Sequence, residues 1–377
     1  MGTSVTFDSA VLTEAVSKAV SVAPSKGNAF DKAHGIVIEV MPSEGQVTVR
    51  ATDLDYFYTE WIDPKEIEGE DVMWRLSANA FGGMVAKLKP GRDVILTQND
   101  QTLEVRSNNL RAMFSLGDTE SYPSWDVFEE ADLVDVSGIG QAFKNVMWAA
   151  ADGSDGTLSS VHLTGEIACA TDRYKVATFP LKLACAPEGG ITLPLSVAKF
   201  ISGMKGDVKF GWDGHSVLIM PDDNTQIKAI AFGSEYPSAF FERLAKVEHT
   251  HQVQVNADEL IHMIDLTSVI NENDRVKRRI TLWIGRSQIA AMTKGDIDQM
   301  RDIMPVPGQA THDHRVEIRI NPNYLSDALS NGEGLVMIKY SAGIRYTDQS
   351  SGTTMSKVLR FERPGEHVAW VAPITGG

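Results

Sequence analysis

Apolar positions along this chain keep two rhythms, one of three to four residues and one of two, and the order of the rhythms recurs. Val5 to Phe7 reads as a strand, and Asp8 then caps a helix with Val11, Leu12, Ala15, Val16 and Ala19 on one face. Glu14, Ser17 and Lys18 take its other face. Ser137 introduces a second such helix, with Ile139, Ala142, Phe143, Val146 and Met147 inward and Gln141, Lys144 and Asn145 outward, and Asn256 a third with Leu260, Ile261 and Ile264. Another set follows. Ser77 leads to Phe81, Met84, Val85 and Leu88, with Pro90-Gly91 as the stop; Ser196 leads to Val197, Phe200, Ile201 and Met204, with Gly206 as the stop. Asn321-Pro322, with proline at the first helical position, leads to Leu325, Ala328 and Leu329 before Gly332.

Strands fill the intervals. The first third carries 36–40, 46–51 and 56–62 around the turn Glu44-Gly45, then 94–96, 102–106 and 110–116. The second carries 161–163, 167–170, 175–179, 208–212, 217–220 and 226–232; the last carries 280–284, 288–292, 335–339, 344–347 and 355–361. Ala51-Thr52-Asp53, Ala170-Thr171-Asp172 and the degenerate Ala291-Met292-Thr293 mark the period, their threonines 119 and then 122 residues apart. Tyr-Pro-Ser recurs at 122–124 and at 236–238, and the stretch from Glu120 to Val134 is an acidic linker. The chain therefore reads as α+β, with three tandem modules at 1–126, 127–246 and 247–377. Each module is two halves of one helix plus antiparallel strands, with strand edges free to pair with a neighbour.

Composition narrows the function. No run reaches the 18 apolar residues of a membrane span, and Met1 to Ala10 has no secretory-signal pattern. Two cysteines, Cys169 and Cys185, build neither a disulfide framework nor a four-cysteine metal site and fit a reducing compartment. Catalytic signatures are absent: there is no phosphate-binding GxxxxGK[ST], HExxH or GxSxG. The histidine pairs 249/251 and 312/314 fall in polar linker-like stretches. Asp53 and Asp55 could hold a divalent ion, but the second copy continues with Arg173 and Tyr174 and the third with Lys294 and Gly295, so Thr52 and Asp53 read as turn formers instead. No catalytic residue, metal or cofactor is expected. A formal charge of -15, from 50 acidic against 35 basic side chains, argues against a protein coated in cations. The distribution is more informative: Lys18, Lys87, Lys89, Lys144, Lys199 and Lys205 recur on or at the ends of the module helices. Taken singly each is a solvated lysine; gathered on one helical layer they would meet a phosphate backbone without reading bases.

Together these features resemble the bacterial replicative sliding clamp, the beta subunit of DNA polymerase III, phage-encoded versions included. The resemblance covers the whole chain. It rests on the three-module order and on local matches: Gly45 to Asp55 with its Thr-Asp-Leu, Val105 to Leu116, Ala170 to Val176, and Asn271-Glu272. What it implies is a DNA clamp fold, with helices lining the inner face of a ring closed by a head-to-tail homodimer around duplex DNA. Such a ring holds a replicative DNA polymerase on its template without sequence preference, is opened by a clamp loader, and works in the bacterial cytoplasm, or in a host cytoplasm if phage-encoded. Residue by residue, the resemblance implies a partner-peptide pocket of Leu158, Thr171, Arg173, Tyr174, Lys175, Val176, Pro237, Phe241, Trp370, Val371, Ala372, Pro373 and Ile374. Arg173 and Tyr174 stand where Gly-His is usual, and Phe241 near a usual arginine. Lys26, in a Ser-Lys-Gly loop, joins the lysines as a DNA contact. Phe114 and Leu116 match dimer-interface positions facing roughly Thr267 to Asn271, where Ser268 and Val269 replace larger apolar residues. Two other readings stay open: a clamp-like structural or regulatory protein that binds protein partners alone, and an enzyme on a triplicated scaffold.

Overall fold

The computed structural model describes residues 2–24, 33–123, 132–153, 156–270, 278–294, 298–307, 310, 316–330, 334–341, 345–347, 354–356, 358–363 and 367–373. Among them are seven α-helices: α1 (Ser9–Val22), α2 (Ala78–Val85), α3 (Ile139–Val146), α4 (Leu195–Ile201), α5 (Ala239–Ala245), α6 (Ala257–Thr267) and α7 (Pro322–Leu329). All the sheets pair antiparallel. The chain gathers into two compact units, Met1–Ser137 with Gly206–Ala231, and Gly138–Lys205 with Phe232–Gly377.

In the first unit a five-stranded sheet runs in the order Glu66–Glu68, Ser4–Asp8, Asp93–Asn99, Thr102–Ser107, Leu110–Ser115. An eight-stranded sheet runs Val134–Val136, Val208–Trp212, Ser216–Asp222, Thr225–Ile230, Tyr56–Ile62, Gln46–Thr52, Ile36–Met41, Val72–Leu76. Its centre joins strands distant in sequence, with Ala229 opposite Tyr56 and Thr225 opposite Glu60. Asp8 caps α1 by accepting from Ala10 N–H at 2.8 Å, and the inward face of α1 is Leu12, Ala15, Val16, Ala19 and Val22. Phe7, Tyr58, Trp74 and Phe81 complete this core, fully buried. α1 and α2 approach closely at Gly82, where a Cβ would fall 2.5 Å from Val20 Cγ2.

In the second unit an eight-stranded sheet runs Ile191–Pro194, Ser160–Leu163, Ile167–Thr171, Lys175–Pro180, Val368–Val371, Leu359–Glu362, Leu335–Tyr340, His251–Asn256. A four-stranded sheet runs Gln299–Pro305, Gln288–Lys294, Ile280–Ile284, Val316–Ile320. The main core of this unit gathers Leu260, Met263 and Ile264 of α6 and Leu325, Ala328 and Leu329 of α7 with Val253, Leu282 and Phe361 of the sheets. α3 lies on α4, and Gly140 lets them meet, since a Cβ there would sit 2.5 Å from the Met204 carbonyl oxygen.

The Thr-Asp repeat is a turn built twice. Thr52 Oγ1 donates to the Tyr56 carbonyl at 2.7 Å and accepts from Leu54 N–H, while Asp53 Oδ1 accepts from Asp55 and Tyr56 N–H. Thr171 donates to the Lys175 carbonyl at 2.8 Å and accepts from Arg173 N–H, and Asp172 accepts from Tyr174 and Lys175 N–H. Leu54 and Arg173 take nearly the same left-handed φ, 77° and 78°. Asp53 and Asp172 are therefore turn formers; burial pushes the Asp53 carboxyl up to about 6, against the pull of the two amides. In the third copy Thr293 is a buried residue of the strand Gln288–Lys294.

Several expectations need correction. The cap of α3 is Gly138 at φ 74°, with no side-chain bond, so Ser137 stands one residue outside. Asn145, expected outside, is buried because its Nδ2 bonds back to the Gln141 carbonyl at 2.7 Å. Val11 lies at the solvent edge of α1 and is exposed. Met147 leaves α3 for a short 3-10 turn, Met147–Ala149. Ser196 is inside α4, which starts after Pro194 and ends at Ile201, short of Gly206. The strand expected at 355–361 is two, Thr354–Ser356 and Leu359–Glu362, and that at 226–232 stops at Ile230. α5 and the strands Gln299–Pro305 and Val316–Ile320 were not foreseen. Most of the 120–134 linker, Asn271-Glu272 and the histidines at 312 and 314 lie outside the described residues.

Candidate functional site

The turn Thr171 to Lys175 and the strands either side of it organise the expected pocket residues. Strand Lys175–Pro180 pairs with Val368–Val371, placing Lys175 opposite Val371 and Val176 opposite Trp370, and Ala372 N–H donates to the Tyr174 carbonyl at 2.8 Å. α5 then lays Phe241 and Leu244 on Cys169, Val176, Tyr236 and Trp370 to form one closed apolar cluster. Phe241 is 7%, Trp370 4% and Val176 2% exposed. The rings of His162, Tyr236 and Phe241 are nearly parallel in series, with centroids 4.6 Å and 6.0 Å apart. His162 is held from behind by Thr192, its Nδ1 2.9 Å from the hydroxyl, and burial pushes its pKa down to about 4. Burial likewise raises the Tyr236 phenol above its usual range.

Lys175 works beneath this surface and is not part of it. The residue is buried; its Nζ donates to the Trp148 carbonyl and lies 3.2 Å from Asp327 of α7. The rings of Trp148 and Tyr324 each stand 5.4 Å from that ammonium, and Tyr324 stacks in turn on Tyr174. The exposed rim consists of Arg173, Tyr174 and Pro237, with Ala372 and Pro373 half-buried. Leu158 and Thr171 are buried, and Val371 is fully enclosed in the unit's main core. Ile374 lies outside the described residues. The pattern thus divides into an enclosed set, a rim and a support, a distinction invisible in sequence because α5 was unread.

Of the lysines, Lys87, Lys89, Lys144, Lys199 and Lys205 are exposed, whereas Lys26 lies outside the described residues. Lys18 is engaged: its Nζ is 3.0 Å from both Glu14 and Glu60. Partial burial works to lower its pKa, and the hydrogen bonds to the two carboxylates outweigh that and raise it. Its charge is offset locally by Glu14, one turn away on the same helix, and by Glu60, which the sequence could not place because it comes from the strand Tyr56–Ile62.

Leu110–Ser115 and Gln299–Pro305 are edge strands of their sheets, each with one open side. In Leu110–Ser115, Leu116 N–H donates inward to the Gln101 carbonyl at 2.9 Å, so alternation turns the N–H groups of Arg111, Met113 and Ser115 outward. Met113 is 64% exposed, while Phe114 points inward onto Phe81, edge to face at 5.4 Å. Arg111 and Arg106 hold Glu104, whose carboxyl falls to about 2 through hydrogen bonds from Arg106 and then Arg111. In Gln299–Pro305, Val306 N–H donates to the Ser287 carbonyl at 3.1 Å, leaving Gln299, Arg301 and Ile303 N–H outward and Pro305 at an outward position without a donor. The Ile303 N–H is accepted by its neighbour Asp302 at 2.8 Å. α6 packs on that strand. Near its end Thr267 is buried, bonded to the Met263 carbonyl, whereas Leu266 is 43% and Val269 73% exposed. Leu116 and Ser268 are half-buried.

Among the described residues no three His, Cys, Asp or Glu side chains group as a metal site, and no helix is long and apolar enough to cross a membrane. No family model matches the sequence, and no curated protein matches it either. Solved structures do match. The DNA polymerase III beta subunit of Thermotoga maritima aligns over 100% of both chains with a TM-score of 0.84 at 17% identity. The sliding clamp of Bacillus subtilis aligns over 100% of both at 0.82 and 18% identity, and that of Pseudomonas aeruginosa over 100% of both at 0.83 and 14% identity. The chain has the sliding-clamp fold.

Proposed function

We propose that this chain is a replicative sliding clamp, a non-catalytic subunit that closes as a head-to-tail homodimer around duplex DNA and tethers a replicative DNA polymerase. The observation that carries the reading is the end-to-end agreement in fold with several bacterial beta clamps, without a segment left over on either side. Module boundaries at 1–126, 127–246 and 247–377 are supported by the twice-built Thr-Asp turn and by three packed helix pairs, α1 with α2, α3 with α4 and α6 with α7.

The joint we assign is the outward edge of Leu110–Ser115 in one copy against that of Gln299–Pro305 in the next. Each offers outward N–H donors on its open side, and Pro305 limits the pairing at one end. Phe114 acts by holding its strand on α2; Val269 and Leu266, on or just after the helix behind the second edge, are exposed as interface residues would be. Lys87, Lys89, Lys144, Lys199 and Lys205 supply phosphate contacts, with Lys26 as a further contact and Lys18 as a minor one. The polymerase and a clamp loader dock apolar peptides at the rim formed by Arg173, Tyr174, Pro237 and Pro373, over the apolar cluster that holds Val176 and Trp370. The working place is the bacterial cytoplasm, or the host's for a phage protein.

A clamp-like protein that binds protein partners alone is favoured by one pair of features, the neutralised Lys18 and an α6 whose first turn carries Asp258 and Glu259. Salt-dependent retention on nicked circular DNA decides between them. The clamp reading predicts that reversing Lys144 and Lys199 to Glu weakens retention and flattens its salt dependence while Lys18→Glu does much less. Retention indifferent to all three changes would favour the second reading.

A further inference from the structure

The peptide site proposed above is already filled by the chain's own α5. Phe241 and Leu244 lie against Val176, Trp370 and Tyr236, and the cluster is closed to solvent. A partner's leucine or phenylalanine packed on Val176 and Trp370 would compete with Phe241 and Leu244 for the same cluster. α5 is suited to leaving. It spans only Ala239–Ala245, Ser238 gives it no side-chain cap, and its ends close through short-range bonds, Phe241 N–H to the Ser238 carbonyl at 2.9 Å and Val247 N–H to the Leu244 carbonyl at 3.1 Å. A helix of this length has no independent stability and stays where its apolar side chains are anchored. Underneath, the indole N–H of Trp370 is buried without a hydrogen-bond acceptor, a group that an incoming peptide carbonyl could satisfy and that α5 does not.

We propose that α5 is a built-in competitor: Phe241 and Leu244 occupy the apolar pocket in the free protein, and a partner peptide binds by displacing them and accepting from Trp370 Nε1. The proposal rests on the peptide-site reading and adds its regulation. A competing internal segment lowers the apparent affinity by the fraction of time the site is closed, so removing the plug tightens binding, whereas removing a wall loosens it.

The test uses the full-length protein and a fluorescein-labelled acetylated octapeptide ending in Leu-Phe, read by anisotropy. Phe241→Ala and Leu244→Ala are expected to bind at least tenfold more tightly than the parent protein, and Val176→Asp to abolish binding. Amide hydrogen exchange on the unaltered protein gives a readout independent of any substitution: residues 239–247 should exchange faster with peptide bound. Parent binding that is weakened by Phe241→Ala and Leu244→Ala, with slower exchange across 239–247, overturns the plug and leaves the peptide site standing. Absence of binding by the parent and both alanine variants, all shown folded by thermal melting, overturns the site and the plug together.

Discussion

Replacing Lys175 by Met removes a charge that three elements share. Its ammonium faces Asp327 at 3.2 Å, the Trp148 carbonyl and two aromatic rings, in a side chain only 7% exposed. At an effective dielectric constant of about 20, the Asp327 attraction alone is about 5 kcal/mol, most of it offset by desolvation. Deleting one partner of a buried pair costs about 3–5 kcal/mol because the other is stranded. Asp327 keeps 28% exposure and can rehydrate, so Lys175→Met should cost about 3 kcal/mol, near the lower end of that range. For a unit of this size that lowers Tm by roughly 6–12 °C. Asp327→Asn should cost about 2 kcal/mol, and the double variant less than the sum, with a coupling of about 1–2 kcal/mol. Urea unfolding of the four proteins measures all of this. A Lys175→Met cost below about 0.5 kcal/mol, or zero coupling, would refute the reasoning.

Three further outcomes follow from other parts of the fold. His162 and His367 are both held near 4 by burial, His367 also by the Arg363 charge. Below the unfolded value of about 6.5 the unfolded chain takes up protons that the folded one refuses, so stability present at neutral pH falls as pH drops toward 4, by up to about 3 kcal/mol per histidine; His162→Phe should flatten the pH profile of Tm in that window. Gly140→Ala should destabilise by about 1–3 kcal/mol, since its Cβ meets the Met204 carbonyl at 2.5 Å, whereas Gly83→Ala, with open space around its Cβ, should stabilise α2 by about 0.5–1 kcal/mol. Arg173→Gly should raise stability by up to about 1 kcal/mol, because a side chain at φ 78° carries left-handed strain that glycine does not; a loss in Tm would show that the guanidinium makes a compensating contact.

The six module helices were legible because each carries an apolar stripe behind a local start signal, and four of those signals, Asp8, Ser77, Asn256 and Asn321, cap as read. Ser137 and Ser196 misled because a glycine at φ 74° and a proline perform the start instead. α5 escaped because no side-chain cap marks its start, and with it went the closed state of the pocket. Lys18 and Lys175 were legible as cations. Glu60 and Asp327 were not legible as their partners, because they lie 42 and 152 residues away. The strand Gln299–Pro305 was hidden by its edge position: its residues alternate between exposed and half-buried, so only Met304 marks a core face.

The clamp account depends most on two open sheet edges joining different copies of the chain. Sedimentation equilibrium of the protein beside Met113→Pro, which deletes one outward donor and no inward one, tests this directly. The account predicts a particle of twice the 41.2 kDa chain mass that reverts to single chains in the variant while its Tm at low concentration is kept. A parent protein that stays a single chain at tens of micromolar, or a variant that still pairs, would contradict it.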